Sequence, residues 1–181
     1  MSLVDERLRE CFRELVAGKR PWPLYLHGPA GTGKTRAILA LCDFVADASY
    51  TTLQEACDTV MAGGQRAWKA PLFGNVPALF AMDEIGTRFK VGDLEFSTIL
   101  EAWEHRERRA LGVAIWCSNL TPGDLNRTYD NRVASRLLSG TVFLLDGPDR
   151  RLQRKHEGEP NDLPQDPRHP LRSKGADEYA N

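Results

Sequence analysis

The stretch LYLHGPAGTGKT, Leu24 to Thr35, decides how the rest of the chain is read. An apolar run enters a glycine-rich turn, and a helix is expected to begin near Lys34. Residues 28–35 fit the spacing G-x-x-x-x-G-K-[ST]. Glycines let such a backbone curl so that successive N–H groups point inward at phosphate oxygens, and the helix N-terminus adds partial positive charge. Lys34 can reach the β- and γ-phosphates, and the Thr35 hydroxyl can ligate Mg²⁺. Gly28, Pro29, Ala30, Gly31, Thr32, Gly33, Lys34 and Thr35 are therefore the expected cradle, with ATP and Mg²⁺ as the expected cofactors.

The chain around this loop has 181 residues, enough for one α/β domain with a hydrophobic core. A formal net charge of −1 excludes a protein that coats nucleic acid by bulk charge; any such contact has to be a local patch. Four scattered cysteines, Cys11, Cys42, Cys57 and Cys117, lack metal-ligand spacing and read as buried thiols of a reducing compartment. The charged, amphipathic start MSLVDERLRECFREL does not have the pattern of a signal peptide. No apolar run approaches the roughly 20 residues that span a bilayer. A soluble, cytoplasmic protein without membrane contact is expected.

Working outward, Leu3, Val4, Leu8, Cys11, Phe12, Leu15 and Val16 recur at helical spacing and end at Gly18. Thr35 to Ala46 carries a second helical stripe, after which SYTT is a strand candidate. Leu53, Ala56, Cys57, Val60 and Met61 share one face of a third helix, stopped by Gly63-Gly64. AWKAPLFGNVP has no period and reads as a surface loop, whereas ALFAM is continuously apolar, as in a strand covered on both faces. Asp93 is placed to cap a helix whose buried side would hold Phe96, Ile99, Leu100 and Trp103. GVAIWC and TVFLL complete the strand set. Residues 1–20 are thus an N-terminal helix and 21–149 an α/β domain. The proline- and charge-rich segment 150–181 buries too little apolar surface to offset its ordering entropy and reads as a disordered tail. Strands alternating with helices call for a three-layer α/β/α domain around a mostly parallel sheet.

A magnesium–phosphate site also needs a carboxylate at the end of a neighbouring strand, and ALFAMDE supplies two. Asp83 would hold Mg²⁺ through water, while Glu84 would act as general base on the water that attacks the γ-phosphate. A carboxylate poised on water favours hydrolysis over transfer to an acceptor, which leaves a small-molecule kinase as the lesser alternative. Asn119, at the end of IWCSN, has an amide that can sense the γ-phosphate, or simply starts the turn SNLTPGD. Arg132 and Arg136 lie four residues apart on one helical face, with Val133, Leu137 and Leu138 free to pack the other. The two guanidiniums are either solvated, with Asp130 in reach, or presented to a neighbouring subunit's γ-phosphate.

GPAGTGKT, FAMDEIG, CSN and DNRVASRLL occur in the order and spacing of the AAA+ ATPases, and the chain resembles most the DnaC-type helicase loaders and the related IstB transposition ATPases. The resemblance runs from Leu24 to Arg150. It implies a five-stranded sheet with a minimal or absent lid, ATP-dependent self-assembly, and contact with single-stranded DNA and a replicative helicase. By the same resemblance Lys34 and Thr35 are the Walker A pair and Asp83 and Glu84 the Walker B pair. Asn119 is sensor 1, Arg136 the arginine finger and Arg132 its companion. Arg150 or Arg151 stands where a second sensor arginine occurs. The family's N-terminal helicase-gripping segment has only about twenty residues to match it here. The function implied is a helicase-loader-like assembly switch in DNA replication; the alternative is an IstB-like, DNA-binding regulator of transposition. Arg106, Arg108 and Arg109 either touch DNA phosphates or complement a helix C-terminus.

Overall fold

The computed structural model describes residues 4–64, 78–87, 92–107 and 113–149. Backbone proximity divides the chain into Met1–Arg150 and Arg151–Asn181. The expected tail, the loop AWKAPLFGNVP, and Arg108, Arg109, Arg150 and Arg151 all fall outside the described residues.

Helix α1 (Glu6–Val16) starts where the Asp5 carboxylate accepts the Arg7 and Leu8 amides, and it buries Leu8, Cys11, Phe12 and Leu15. Val16, expected in that stripe, is exposed. Strand β1 (Leu24–His27) is buried at every position and feeds the phosphate loop, from which α2 (Lys34–Cys42) departs. The α2 stripe was expected to run to Ala46. Past Cys42 the amides of Phe44 and Val45 bond back only three residues, so the last turn tightens and the α-helix ends. Strand β2 (Ala48–Thr52) leads straight into α3 (Leu53–Gly63) through a capping box formed by Thr52 and Glu55. Met61 of α3 turns outward rather than joining the buried face.

Strand β3 (Leu79–Ile85) extends three residues beyond the apolar run and the acidic pair lies within it. In α4 (Asp93–Glu107) Asp93 is the first helical residue, not the cap before it. Ile99 is fully buried, with Phe96, Leu100 and Trp103 packed half-buried beside it. Strand β4 (Ala114–Ser118) is followed by the short helices α5 (Pro122–Thr128), capped by Thr121, and α6 (Asn131–Leu137), capped by Asp130. Asp130 thus spends its carboxylate on the Val133 amide. Strand β5 (Thr141–Leu144) closes the sheet.

The five strands are all parallel, in the order β2-β3-β4-β1-β5. Because side chains alternate along a strand, the sheet has two apolar faces. Leu24, Leu26, Ala81, Ile115 and Cys117 meet α1 and α2 on one face. Tyr25, Phe80, Met82 and Trp116 meet α3, α4, α5 and α6 on the other. The result is the expected three-layer architecture. Among the described residues no helix is long and apolar enough to cross a membrane.

One residue departs from the outward-facing role left open for it. Arg106 is 4% exposed, donates from Nη2 to the Val113 carbonyl at 2.8 Å, and lies over the Phe80 ring. Burial lowers its pKa to about 10. Its guanidinium ties the end of α4 to the entry of β4 and is not offered to a DNA phosphate. Arg106→Ala should therefore cost about 2–3 kcal/mol in denaturant unfolding, the range for a hydrogen bond from a charged donor, and leave single-stranded DNA affinity unchanged.

Candidate functional site

The site gathers at the carboxyl ends of β1, β3 and β4, the edge where parallel α/β sheets bind ligands. Gly28 opens the phosphate loop at φ 155°, and a Cβ there would run into the Leu145 carbonyl just past β5. Glycine is needed because the neighbouring strand's exit passes so close; the Leu145 amide bonds the His27 carbonyl at 2.7 Å. Thr32 is buried and donates to the Pro29 carbonyl at 3.0 Å, which stiffens the loop from within. Gly33, at φ 93°, caps α2 without a side chain. The amides of the first turn of α2 have no intrahelical partners and carry the positive end of the helix dipole.

Lys34 is the first residue of α2 and is 7% exposed. Its ammonium donates to the Gly28 carbonyl at 2.8 Å and the Pro29 carbonyl at 2.7 Å, so it lies over its own loop, where an incoming phosphate chain would meet it. Beside it, burial and the Lys34 charge both hold the His27 imidazole below its usual pKa. His27 stacks on Tyr25.

Asp83 is the centre of the arrangement. It is 3% exposed, and its Oδ2 accepts the Thr35 hydroxyl at 2.6 Å. The same oxygen accepts the Tyr50 hydroxyl at 3.3 Å, while Oδ1 accepts the Glu84 amide at 2.7 Å. Glu84 itself is exposed and takes φ 61°. Between Met82 and Ile85 the register with β4 slips by one residue, since three steps on β3 span the two from Trp116 to Ser118. This is a β-bulge, and the left-handed backbone it places on Glu84 is costly for a residue with a side chain. The bulge sends the two adjacent carboxylates different ways, Asp83 inward to the loop and Glu84 outward to solvent. Ser118 pins the bulge by donating to the Ile85 carbonyl at 2.6 Å and accepting the Leu120 amide at 2.9 Å. That positions Asn119, exposed, at the neighbouring strand end.

The structure thus brings together Lys34, Thr35, Asp83 and Glu84, with Asn119 at the adjoining strand end. Arg132 and Arg136 stand elsewhere. Arg132 is exposed on α6, and Arg136 reaches α4, where its Nη2 lies 3.4 Å from Glu104 Oε1 and its guanidinium 5.0 Å from the Trp103 ring centre. Arg136 is therefore neither freely solvated nor paired with Asp130. Tyr50 and Ser118 had no role in the sequence reading. Their contacts arise from strand register and side-chain reach, for which a local motif has no signal.

Among the described residues no group of three His, Cys, Asp or Glu could hold a metal alone. Magnesium bound together with phosphates needs less, because it keeps several waters and takes one or two protein oxygens. A threonine hydroxyl 2.6 Å from a buried carboxylate fits that requirement.

No family model matches the chain, and no curated protein matches it by sequence. Solved structures do. The AMPPCP-bound DnaA of Aquifex aeolicus superposes with a TM-score of 0.63 at 15% identity, over 85% of this chain and 52% of that one. The DnaC helicase loader gives 0.61 at 16%, over 78% and 89%. DnaA bound to AMPPCP and single-stranded DNA gives 0.58 at 16%, over 70% and 40%. The chain has the AAA+ fold of DnaA and DnaC. It spans about half the length of the first of these DnaA chains and most of the DnaC structure. The AAA+ frame accounts for the parallel sheet and for the loop and acidic strand end lying side by side.

Removing the ammonium at the cradle is the simplest test of what the loop holds. Lys34→Ala should weaken binding of a fluorescent ATP analogue by about 10–100-fold, as loss of a charge-assisted hydrogen bond implies, in a variant that circular dichroism shows to be folded at the assay temperature. Unchanged affinity would contradict the assignment.

Proposed function

We propose that the protein is a magnesium-dependent ATPase that works as an assembly switch, with DNA replication as its setting. The 2.6 Å contact between Thr35 of the phosphate loop and Asp83 at the end of β3 carries this reading. It leaves the lone pairs of the Thr35 hydroxyl for a cation while its proton satisfies the carboxylate. Magnesium held by Thr35 and Asp83 would supply neutralisation of the phosphates' negative charge.

The roles of the chain's own residues follow from their placement. Amides of residues 31–35 and the Lys34 ammonium hold the phosphates. Glu84, exposed beside buried Asp83, orients water and accepts its proton as that water attacks the γ-phosphorus. Asn119 contacts the γ-phosphate or that water from the end of β4. Because Glu84 faces solvent, water reaches the site, which supports hydrolysis over phosphate transfer to an acceptor. Arg136, with Arg132 beside it, acts on the nucleotide of a second copy, so that ATP joins neighbouring subunits and hydrolysis parts them. That role requires Arg136 to leave Glu104 and Trp103 when copies assemble.

The AAA+ fold shared with a helicase loader and with a DnaA bound to single-stranded DNA supports a replicative helicase and single-stranded DNA as partners. An IstB-like role in transposition is the competing reading, separated by pull-down against a replicative helicase and a transposase.

Glu84→Gln should keep ATP binding and slow phosphate release by about 10²–10⁴-fold, the usual weight of a general base. Transfer of phosphate to an added acceptor, in place of release that needs none, would favour the kinase instead. Arg136→Ala should bind ATP normally yet lose the rise of turnover with protein concentration. A rate per protomer equal to wild type at every concentration would remove Arg136 from the mechanism.

A further inference from the structure

We propose that Tyr50 is a positioning residue of the magnesium–nucleotide site, whose phenol fixes the orientation of the Asp83 carboxylate that would face the cation. The inference rests on the nucleotide reading above and adds a residue that neither motif contains.

A carboxylate offers about four lone-pair positions. On Asp83, Oδ2 takes the Thr35 hydroxyl at 2.6 Å and the Tyr50 hydroxyl at 3.3 Å, and Oδ1 takes the Glu84 amide at 2.7 Å. The buried Cys117 thiol of β4 is a further neighbour that hydrogen-bonds this carboxylate. Thr35 and Glu84 are held by the loop and the bulge, on either side of the carboxyl group. Tyr50 is the hydroxyl donor that comes from β2, and it restrains the carboxylate from rotating about the Thr35 contact.

Strand register explains why the residue is a tyrosine. Tyr50 pairs with Ala81, and Asp83 lies two residues further along β3 on the same face. That offset is about 6.6 Å at the rise of a parallel strand. A serine or threonine at position 50 would fall short, whereas a phenol leaning along the sheet over small Ala81 spans the distance. The ring is half-buried against the core that includes Ala81 and Leu79.

The test is Tyr50→Phe in the full chain, which keeps the ring and removes only the donor. A fluorescent ATP analogue would be titrated in EDTA and over a Mg²⁺ series, with the melting temperature recorded alongside. Affinity in EDTA should match wild type within about twofold, while the Mg²⁺ concentration for half-maximal tightening rises about tenfold, as for loss of a partner behind a metal site. Two wild-type-like Mg²⁺ titrations would overturn the Tyr50 assignment and leave the nucleotide reading standing. Weakened binding in EDTA would mean a merely structural role and would also overturn it. A wild-type protein that binds the analogue without any response to Mg²⁺ would instead overturn the magnesium reading itself.

Discussion

A buried carboxylate has to be satisfied, and in this chain that requirement joins the two halves of the site. Asp83 lies at 3% exposure, where an unpaired charge is unaffordable. It finds donors on the phosphate loop, on β2 and on its own bulge. The Thr35 contact spans 48 positions of sequence, so it forms only once β1, α2 and β3 are packed. The same hydrogen bond that joins loop and strand is the one on which the proposed magnesium site is built.

The bulge on β3 is the second constraint. Without the extra residue, Asp83 and Glu84 would alternate across the sheet and Glu84 would enter the core occupied by Met82 and Ile85. With it, Ile85 returns to the core and Glu84 is turned out at φ 61°. A left-handed glutamate is unfavourable by roughly 1–3 kcal/mol, and the Ser118 bridge to the Ile85 carbonyl helps to hold it. Strain at the residue proposed as general base is consistent with a site built for geometry before stability. Arg136 packs on Trp103 and bonds Glu104 within its own chain, contacts that the proposed role across a subunit joint would have to replace.

Much of this was legible because it is local. Glycine spacing, a lysine and a threonine define a phosphate loop over eight residues, and continuous apolar runs such as Leu79 to Met82 announce strands buried on both faces. The resemblance of FAMDEIG and CSN to AAA+ motifs placed the ends of β3 and β4 correctly relative to the loop. What was not legible depends on register or on three-dimensional neighbours. Tyr50 reaches Asp83 only because β2 pairs with β3 as it does. The bulge appears as one extra step in a ladder and has no residue signature. Arg106 looked like surface charge, but Phe80 and the Val113 carbonyl bury it. Helix α2 stopped short of its stripe because apolar Phe44 and Val45 continue the spacing in a tighter turn.

The account stands on a triphosphate lying in the loop with its cation between Thr35 and Asp83. A crystal structure grown with AMPPCP and Mg²⁺ reads this most directly. The expected result is β- and γ-phosphates inside residues 28–35, a metal on Thr35 Oγ1, and the Asp83 carboxylate facing that metal directly or through one of its waters. Phosphates found outside the loop, or a metal held away from both side chains, would contradict it.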